Sequence, residues 1–363
     1  MKTNLKKKII LGIETSCDDT AISIVDSKRN ILSNVVVNQN NYHKKYGGIV
    51  PEIAARAHMN FINKALEESL NKAKKKITDI DLICATGGPG LIGGLIVGTI
   101  FAKTLSWTLK KPYIAVNHLE GHALTERLVS NINYPYLLLL VSGGHTQLIA
   151  VKGFGKYKRI STTLDDAAGE TFDKGAKILE LCQPGGPEIE KYGSKGNENA
   201  FKLPRPMYKS NNPNFSFSGL KTAFTKVVNK TNLEDNKHHL AASLQSAISD
   251  CIVDRTRLGI NIFRNTVSKH GIKLVVAGGV ASNLKIRKEL KNLTYKEKID
   301  FFAPPLNLCT DNGAMIAWAG FEKFNNVGES SLDFKPRPRW PLDPEAYKLN
   351  PTMKRVGKKG IKA

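Results

Sequence analysis

IILGIETSCDDTAISIVDSKRNILSNVVV, residues 9–37, reads as three short strands joined by tight turns. Ile9–Ile13 is continuously apolar, Thr20–Val25 alternates, and Ile31–Val37 is rich in β-branched residues, with polar turn residues between them. A helical pattern from Pro51 to Lys74 and a strand at Leu82–Ala85 follow. After a break at Asn131–Pro135 the order begins again. Tyr136–Val141, Thr146–Val151 and Tyr157–Thr162 read as strands, Asp166 opens a helix, and Leu274–Ala277 returns as a strand. Two such units predict an internally duplicated α/β fold with two lobes and a cleft between them, a usual place for a ligand. The expected lobes are 1–134 and 135–337, the second carrying a helical insertion, with 338–363 as a basic, solvated tail.

Composition narrows the function. The chain has 363 residues, enough for two cores, and a net charge of +22 from 54 basic and 32 acidic side chains. A surplus of that size favours a polyanionic partner, nucleic acid first. Five cysteines, Cys17, Cys84, Cys182, Cys251 and Cys309, show no C-x-x-C spacing. That argues against a disulfide framework or a structural zinc site and for a reducing cytoplasm. The apolar run Leu91–Leu109 contains Lys103 and a small-residue stripe, Gly94, Gly98 and Ala102. Its expected place is a buried core helix, with no membrane span. Glu14 and Asp18 follow Ile9–Leu11 too closely for a signal segment.

Three turns follow strands and carry small or polar residues: Glu14–Asp19, Ser142–Gly144 and Gly278–Gly279. Such turns expose backbone N–H groups and admit a phosphate, so together they point to a nucleotide. No G-x-x-x-x-G-K-[ST] occurs and no G-x-G-x-x-G follows the first strand, which excludes a P-loop and counts against a dinucleotide site. Asp166, Glu170 and Asp173 would share one helix face and need something cationic or hydroxylic opposite, such as a ribose or a metal-bound nucleotide. In Asn117-His118-Leu119-Glu120-Gly121-His122, the histidines sit one helical turn apart, where two imidazoles can hold one metal ion. Asp311 opens the last helix, where it is either an N-cap or a third, carboxylate ligand.

These motifs resemble the bacterial TsaD family, once called O-sialoglycoprotein endopeptidase or Gcp. The resemblance runs through LGIETSCDDT (11–20), YGGIVPEIAAR (46–56), TGGPGLIGGL (86–95), NHLEGH (117–122), LVSGGHTQL (140–148), DDAAGETFDK (165–174), FSFSGLKT (215–222), AGGVASN (277–283), CTDNGAMIAWAG (309–320) and PRPRWPLD (336–343). It implies the duplicated actin/hexokinase/Hsp70-like fold. It further implies transfer of a threonylcarbamoyl group from threonylcarbamoyl-AMP to N6 of the tRNA adenosine beside the anticodon. The implied metal is one divalent ion on His118, His122 and Asp311, usually taken as iron in the family, although two His and one Asp suit zinc equally. The implied substrate contacts are Leu140, Val141, Ser142, Gly143, Gly144, Asp173, Gly186 and Asn283. A TsaB-like paralogue and a TsaE-like ATPase are the implied partners. Archaeal relatives place a metal-binding Tyr where this chain has Leu140, so the protein supplies three ligands by analogy. Asp18, at the tip of the first hairpin, is the candidate for orienting a water or accepting the N6 proton.

Two rival functions can be weighed from the residues. Zincin peptidases need Glu directly after the first His, whereas Glu120 is two residues on, roughly 200° around the helix. A non-catalytic scaffold of the same fold would have no reason to keep both histidines, Asp311 and the glycine turns.

Overall fold

The computed structural model describes residues 7–43, 46 and 48–349. They divide into two compact units: residues 7–132 with Thr310–Pro344, and Asn133–Cys309 with residues 345–349. In the first unit the chain runs β1 (Ile9–Glu14), β2 (Asp19–Asp26), β3 (Ile31–Asn38), α1 (Asn40–His43), α2 (Pro51–Ala73), β4 (Leu82–Gly88), α3 (Ile92–Leu109), β5 (Tyr113–Asn117) and α4 (His118–Val129). The second unit holds β6 (Tyr136–Val141), β7 (Thr146–Gly153), β8 (Lys156–Thr162), α5 (Ala168–Ile178), α6 (Gly185–Gly193), α7 (Ser218–Val228), α8 (Leu233–Thr266), β9 (Lys273–Ala277), α9 (Leu284–Glu297) and β10 (Asp300–Phe302). The chain then returns to the first unit for α10 (Gly313–Val327) and ends its described part with α11 (Pro344–Leu349).

The duplication is visible in the sheets. The first is ordered β3-β2-β1-β4-β5, and the second β8-β7-β6-β9-β10, the same order in the second set of strands. In each, two antiparallel hairpin pairs precede parallel strands: β1 pairs with β2 antiparallel and β4 parallel, as β6 pairs with β7 and β9. The expected duplicated α/β fold is therefore present.

Alternation along β1 separates its two faces. Leu11 and Ile13 join Ile62 and Ala65 of α2 and Ala102 of α3 in one apolar core. Gly12 points the other way, onto α10. A Cβ built there would lie 2.1 Å from Gly313 O, and one on Gly313 would lie 2.7 Å from Gly12 O. Two glycines thus let α10 lie against the sheet at backbone distance. In the second unit, Leu137, Leu139, Leu274 and Val276 build the core with α5, α7, α8 and α9.

Three expectations are corrected. Residues 310–337, assigned by sequence to the C-terminal lobe, belong with the first unit, because the Gly12–Gly313 approach draws α10 onto β1. The tail is not loose from Pro338. Arg337 N donates to Gly87 O at 2.7 Å, Asn117 Nδ2 donates to Trp340 O at 2.8 Å, and Arg337 lies against the rings of Phe334 and Trp340. Lys354–Lys362 fall outside the described residues. Helix α3 buries only its small-residue side: Gly94, Gly98 and Ala102 are inside, with Gly94 and Gly98 against Thr15, while Ile92, Ile96, Ile100 and Trp107 are exposed. It is the one helix among the described residues long and apolar enough to cross a membrane.

Candidate functional site

Strand β5 delivers the chain to α4 through Asn117, which caps the helix: its Oδ1 accepts from Leu119 N at 2.9 Å and Glu120 N at 3.3 Å. The cap fixes the first turn, and His118 and His122 project from one face with ring centroids 4.8 Å apart. Gly121 lies between them. A Cβ there would press to 3.0 Å from Ile316 Cδ1 and 3.3 Å from Met315 Cγ, so its absence lets α4 pack tightly on α10. The residues before α10 bring Asp311 to the histidines. Asp311 Oδ1 lies 3.1 Å from His122 Nε2 and 3.5 Å from His118 Nε2.

One ligand atom from each of His118, His122 and Asp311 falls within 4.8 Å of the others, with both histidines buried and Asp311 partly so. The His118 ring is braced from behind: Nδ1 donates to Glu14 Oε2 at 2.9 Å and lies 3.1 Å from Ser16 Oγ. A carboxylate behind the imidazole fixes the tautomer and leaves Nε2 for an ion. His122 Nδ1 is buried with no hydrogen-bond partner among the described residues. The set fits one divalent transition-metal ion, and two nitrogens with one carboxylate oxygen suit iron or zinc equally.

From the sequence Glu14 is expected only as the first residue of a phosphate turn, not as a partner of His118. It is 1% exposed, and its other oxygen accepts from Ser16 N at 2.5 Å while Oε2 also accepts from Thr86 Oγ1 at 2.5 Å. Burial opposes its charge, but His118 and Ser16 hold the carboxyl below its ordinary value. On His118, burial likewise opposes charge, yet Asp311 and Glu14 push the imidazole up to about 9. The signal was a carboxylate at the end of an otherwise apolar, fully buried strand, which demands a partner.

The expectation for the Glu14–Asp19 turn is narrowed at its first three residues. Glu14, Thr15 and Ser16 are buried, Ser16 N is taken by Glu14, and Ser16 O accepts from Leu91 N at 2.7 Å. The Glu14–Ser16 end of the turn is therefore closed, and the Ser16 amide is not available to a phosphate. Asp18 and Asp19 lie at the tip of the hairpin. Burial, then Asp18 and Asp311, raise Asp19 to about 7, while Asn38 Nδ2 donates to Asp19 Oδ1 at 2.8 Å. His58 of α2 secures the same turn: Nε2 donates to Cys17 O at 3.1 Å, so Nδ1 accepts from Thr20 Oγ1 at 2.8 Å. Glu120 is buried beside Lys323 of α10.

The eight expected substrate contacts all lie in the second unit. Leu140 and Val141 end β6 with buried side chains, so they can offer only backbone. Ser142 closes the turn: its N donates to His145 O at 2.8 Å and its Oγ accepts from His145 N at 3.2 Å. A Cβ on Gly143, Gly144 or Gly186 would meet nothing within 4 Å. Those three positions are open to a ligand. Gly278, at φ 96°, packs over Val141 O, closing the floor of the turn. Asp173 Oδ1 accepts from Gly185 N at 2.7 Å, tying α5 to the start of α6 beside Gly186. Asn283 caps α9 through Ile286 N at 3.0 Å and accepts from Gln245 Nε2 at 3.0 Å.

The acidic face expected of Asp166, Glu170 and Asp173 is corrected. The helix starts at Ala168, and Lys174 pairs with Asp166 at 2.7 Å and Glu170 at 2.8 Å. The chain supplies its own cation, and only Asp173 is directed elsewhere.

Residues 30–318 match the family profile described as TsaD, tRNA N6-adenosine threonylcarbamoyltransferase. Proteins bearing that name are similar over nearly their full lengths. The one from Rickettsia rickettsii is 51% identical over 92% of this chain and 98% of its own. Those from Pelagibacter ubique and Bartonella tribocorum are each 50% identical, covering 94% and 98% of this chain and 97% and 100% of theirs. Among solved structures, full-length HypF in its phosphate- and nucleotide-bound form is similar with a TM-score of 0.57 at 13% identity, over 91% of this chain and 57% of HypF. The ADPNP-bound activator of 2-hydroxyisocaproyl-CoA dehydratase from Clostridium difficile gives 0.50 at 13% identity, over 90% of this chain and 99% of its own. At that identity these likenesses speak to fold alone.

Proposed function

The chain belongs to the tRNA N6-adenosine threonylcarbamoyltransferase family, and on that basis we propose that it moves a threonylcarbamoyl group from threonylcarbamoyl-AMP to N6 of the tRNA adenosine beside the anticodon. AMP is the leaving group. The observation that carries this reading is the near full-length likeness to transferases of that name, joined to the convergence of His118, His122 and Asp311.

The donor is a mixed anhydride, already activated, so the protein's task is to hold it and present N6 in line. The open turn at Gly143 and Gly144 offers backbone amides to the phosphate or to oxyanion charge. Leu140, Val141 and Ser142 set that turn, and Asp173, Gly186 and Asn283 complete the proposed donor contacts. Asp18, at the hairpin tip, is the proposed residue to orient a water or take the N6 proton. A divalent ion held by His118, His122 and Asp311, iron or else zinc, would supply Lewis-acid stabilisation of negative charge and orient the donor. Glu14 keeps the His118 ring turned for that purpose.

The proposed partners are tRNA, a TsaB-like paralogue and a TsaE-like ATPase, in the cytoplasm. Ile92, Ile96, Ile100 and Trp107 form an exposed apolar line on α3, which supports docking of another protein there.

The test is incubation with ATP, threonine, bicarbonate, unmodified tRNA and the other pathway proteins, followed by nucleoside analysis. Threonylcarbamoyl-modified adenosine is the expected product, lost in His118→Ala and Asp311→Asn with loss of bound metal. Full transfer with undiminished metal in either variant overturns the site.

A further inference from the structure

We propose that the outer face of α9 is a docking surface for the tRNA backbone, an inference that rests on the transferase reading. Ile286, Leu290, Leu293 and Thr294 turn inward. Counting 100° per residue, Leu284, Lys288, Lys291 and Tyr295 fall on one narrow face, about 60° wide. All four are exposed, and Lys298 follows at the helix end.

Three features set this face apart from an ordinary solvated helix. Its charge is one-sided: α9 carries five basic and two acidic side chains, whereas the surface helix α2 carries three of each. The acids are also turned away. Glu297 is engaged by Arg264 at 3.2 Å and Glu289 by Asn292 at 3.4 Å. Among the described residues, Lys288, Lys291, Lys296 and Lys298 form no ion pair; on α2, Arg56 pairs with Glu52 and Lys72 with Glu68.

The second feature is Tyr295. Its side chain is 86% exposed in the middle of the lysines, so its ring contributes nothing to the core. A flat aromatic among cations is what single-stranded nucleic acid stacks on, with phosphates held to either side. The third is position. The helix begins at Asn283, a proposed donor contact, and Leu284 N is fixed by Glu190 Oε1 of α6 at 2.7 Å. The 14 residues of α9, about 21 Å of helix at 1.5 Å rise per residue, would extend the grip on the acceptor RNA away from the donor. Lysines bind phosphate as point charges, so the face would hold backbone without reading sequence.

The experiment uses the full chain with Lys288→Glu, Lys291→Glu and Lys298→Glu combined. A control carries Lys64→Glu, Lys74→Glu and Lys76→Glu, exposed positions on or just after α2 with the same change in net charge. Affinity for unmodified tRNA is measured directly at several salt concentrations, independently of transfer. The α9 variant should bind about 10- to 100-fold more weakly, with the slope of log affinity against log salt shallower by about 2–3. Tyr295→Ala should cost about tenfold with the slope unchanged. Unchanged tRNA affinity in the α9 variant, or an equal loss in the control, overturns the proposal. So does loss of binding to phosphatidylglycerol vesicles without loss of tRNA binding. If wild type binds tRNA through α9 yet makes no modified adenosine, the transferase reading fails while the surface stands.

Discussion

Glu14 Oε2 and His118 Nδ1 are hydrogen bonded at 2.9 Å across 104 residues of sequence. Glu14 is buried to within 1% of its surface, so this bond and those from Ser16 and Thr86 carry nearly all of its solvation. Glu14→Gln preserves shape and removes the charge behind the imidazole. Metal affinity should fall about 10- to 100-fold while the fold is retained. Chelator competition measures it, and undiminished affinity would remove Glu14 from the metal centre.

The same pair sets a pH dependence. In the metal-free protein Asp311 and Glu14 overcome burial and hold His118 at about 9, above its ordinary 6.5. A raised pKa stabilises the fold fully below about 6.5, and that contribution is lost as pH rises through about 9. Binding an ion requires neutral imidazole, so it releases this proton. Metal affinity should therefore rise about tenfold per pH unit between about 7 and 9. A metal titration across that range with pH-indicator readout of released protons checks it; pH-independent affinity would contradict it.

Gly12 and Gly313 allow no side chain between β1 and α10. Gly12→Ala puts a methyl 2.1 Å from Gly313 O and 2.5 Å from Ala317 N, both backbone atoms. The expected cost is about 3 kcal/mol, lowering the melting midpoint by roughly 6–12 °C. Because α10 follows Asp311 directly, metal content should drop with it. Calorimetry with metal analysis tests both.

Asn117 serves two partners, capping α4 and donating to Trp340 O. Asn117→Ala should cost about 2 kcal/mol, one part for the cap and one for the bond to the returning segment. Asn117→Ser keeps a capping oxygen and should recover about half of that. Urea unfolding of the two variants separates the contributions, and equal losses would show that the cap is immaterial.

The strands were legible because apolar alternation and turn residues are local signals, and Ile9–Val37 repeated in pattern at Tyr136–Thr162. The histidine pair was legible for the same reason. What could not be read depends on distant packing. Nothing around Gly313 says which sheet it joins until Gly12 is seen to lack a side chain. The long apolar run of α3 suggested full burial, but composition does not reveal that Ile96 and Ile100 face outward while Gly94 and Gly98 face Thr15. Three acids at helical spacing point to a ligand opposite them, whereas the neutralising cation is Lys174, one residue after Asp173.

The return of α10 to the first unit also orders events in time. His122 and Asp311 are 189 residues apart in the chain, and at about 5–20 residues per second a ribosome needs roughly 10–40 s to pass from one to the other. During that interval both imidazoles exist without their carboxylate. A nascent or prematurely ended chain that lacks Asp311 cannot assemble the proposed three-ligand site. Loading of the proposed metal would thereby be a late event in biosynthesis, reserved for chains whose second unit has already been made.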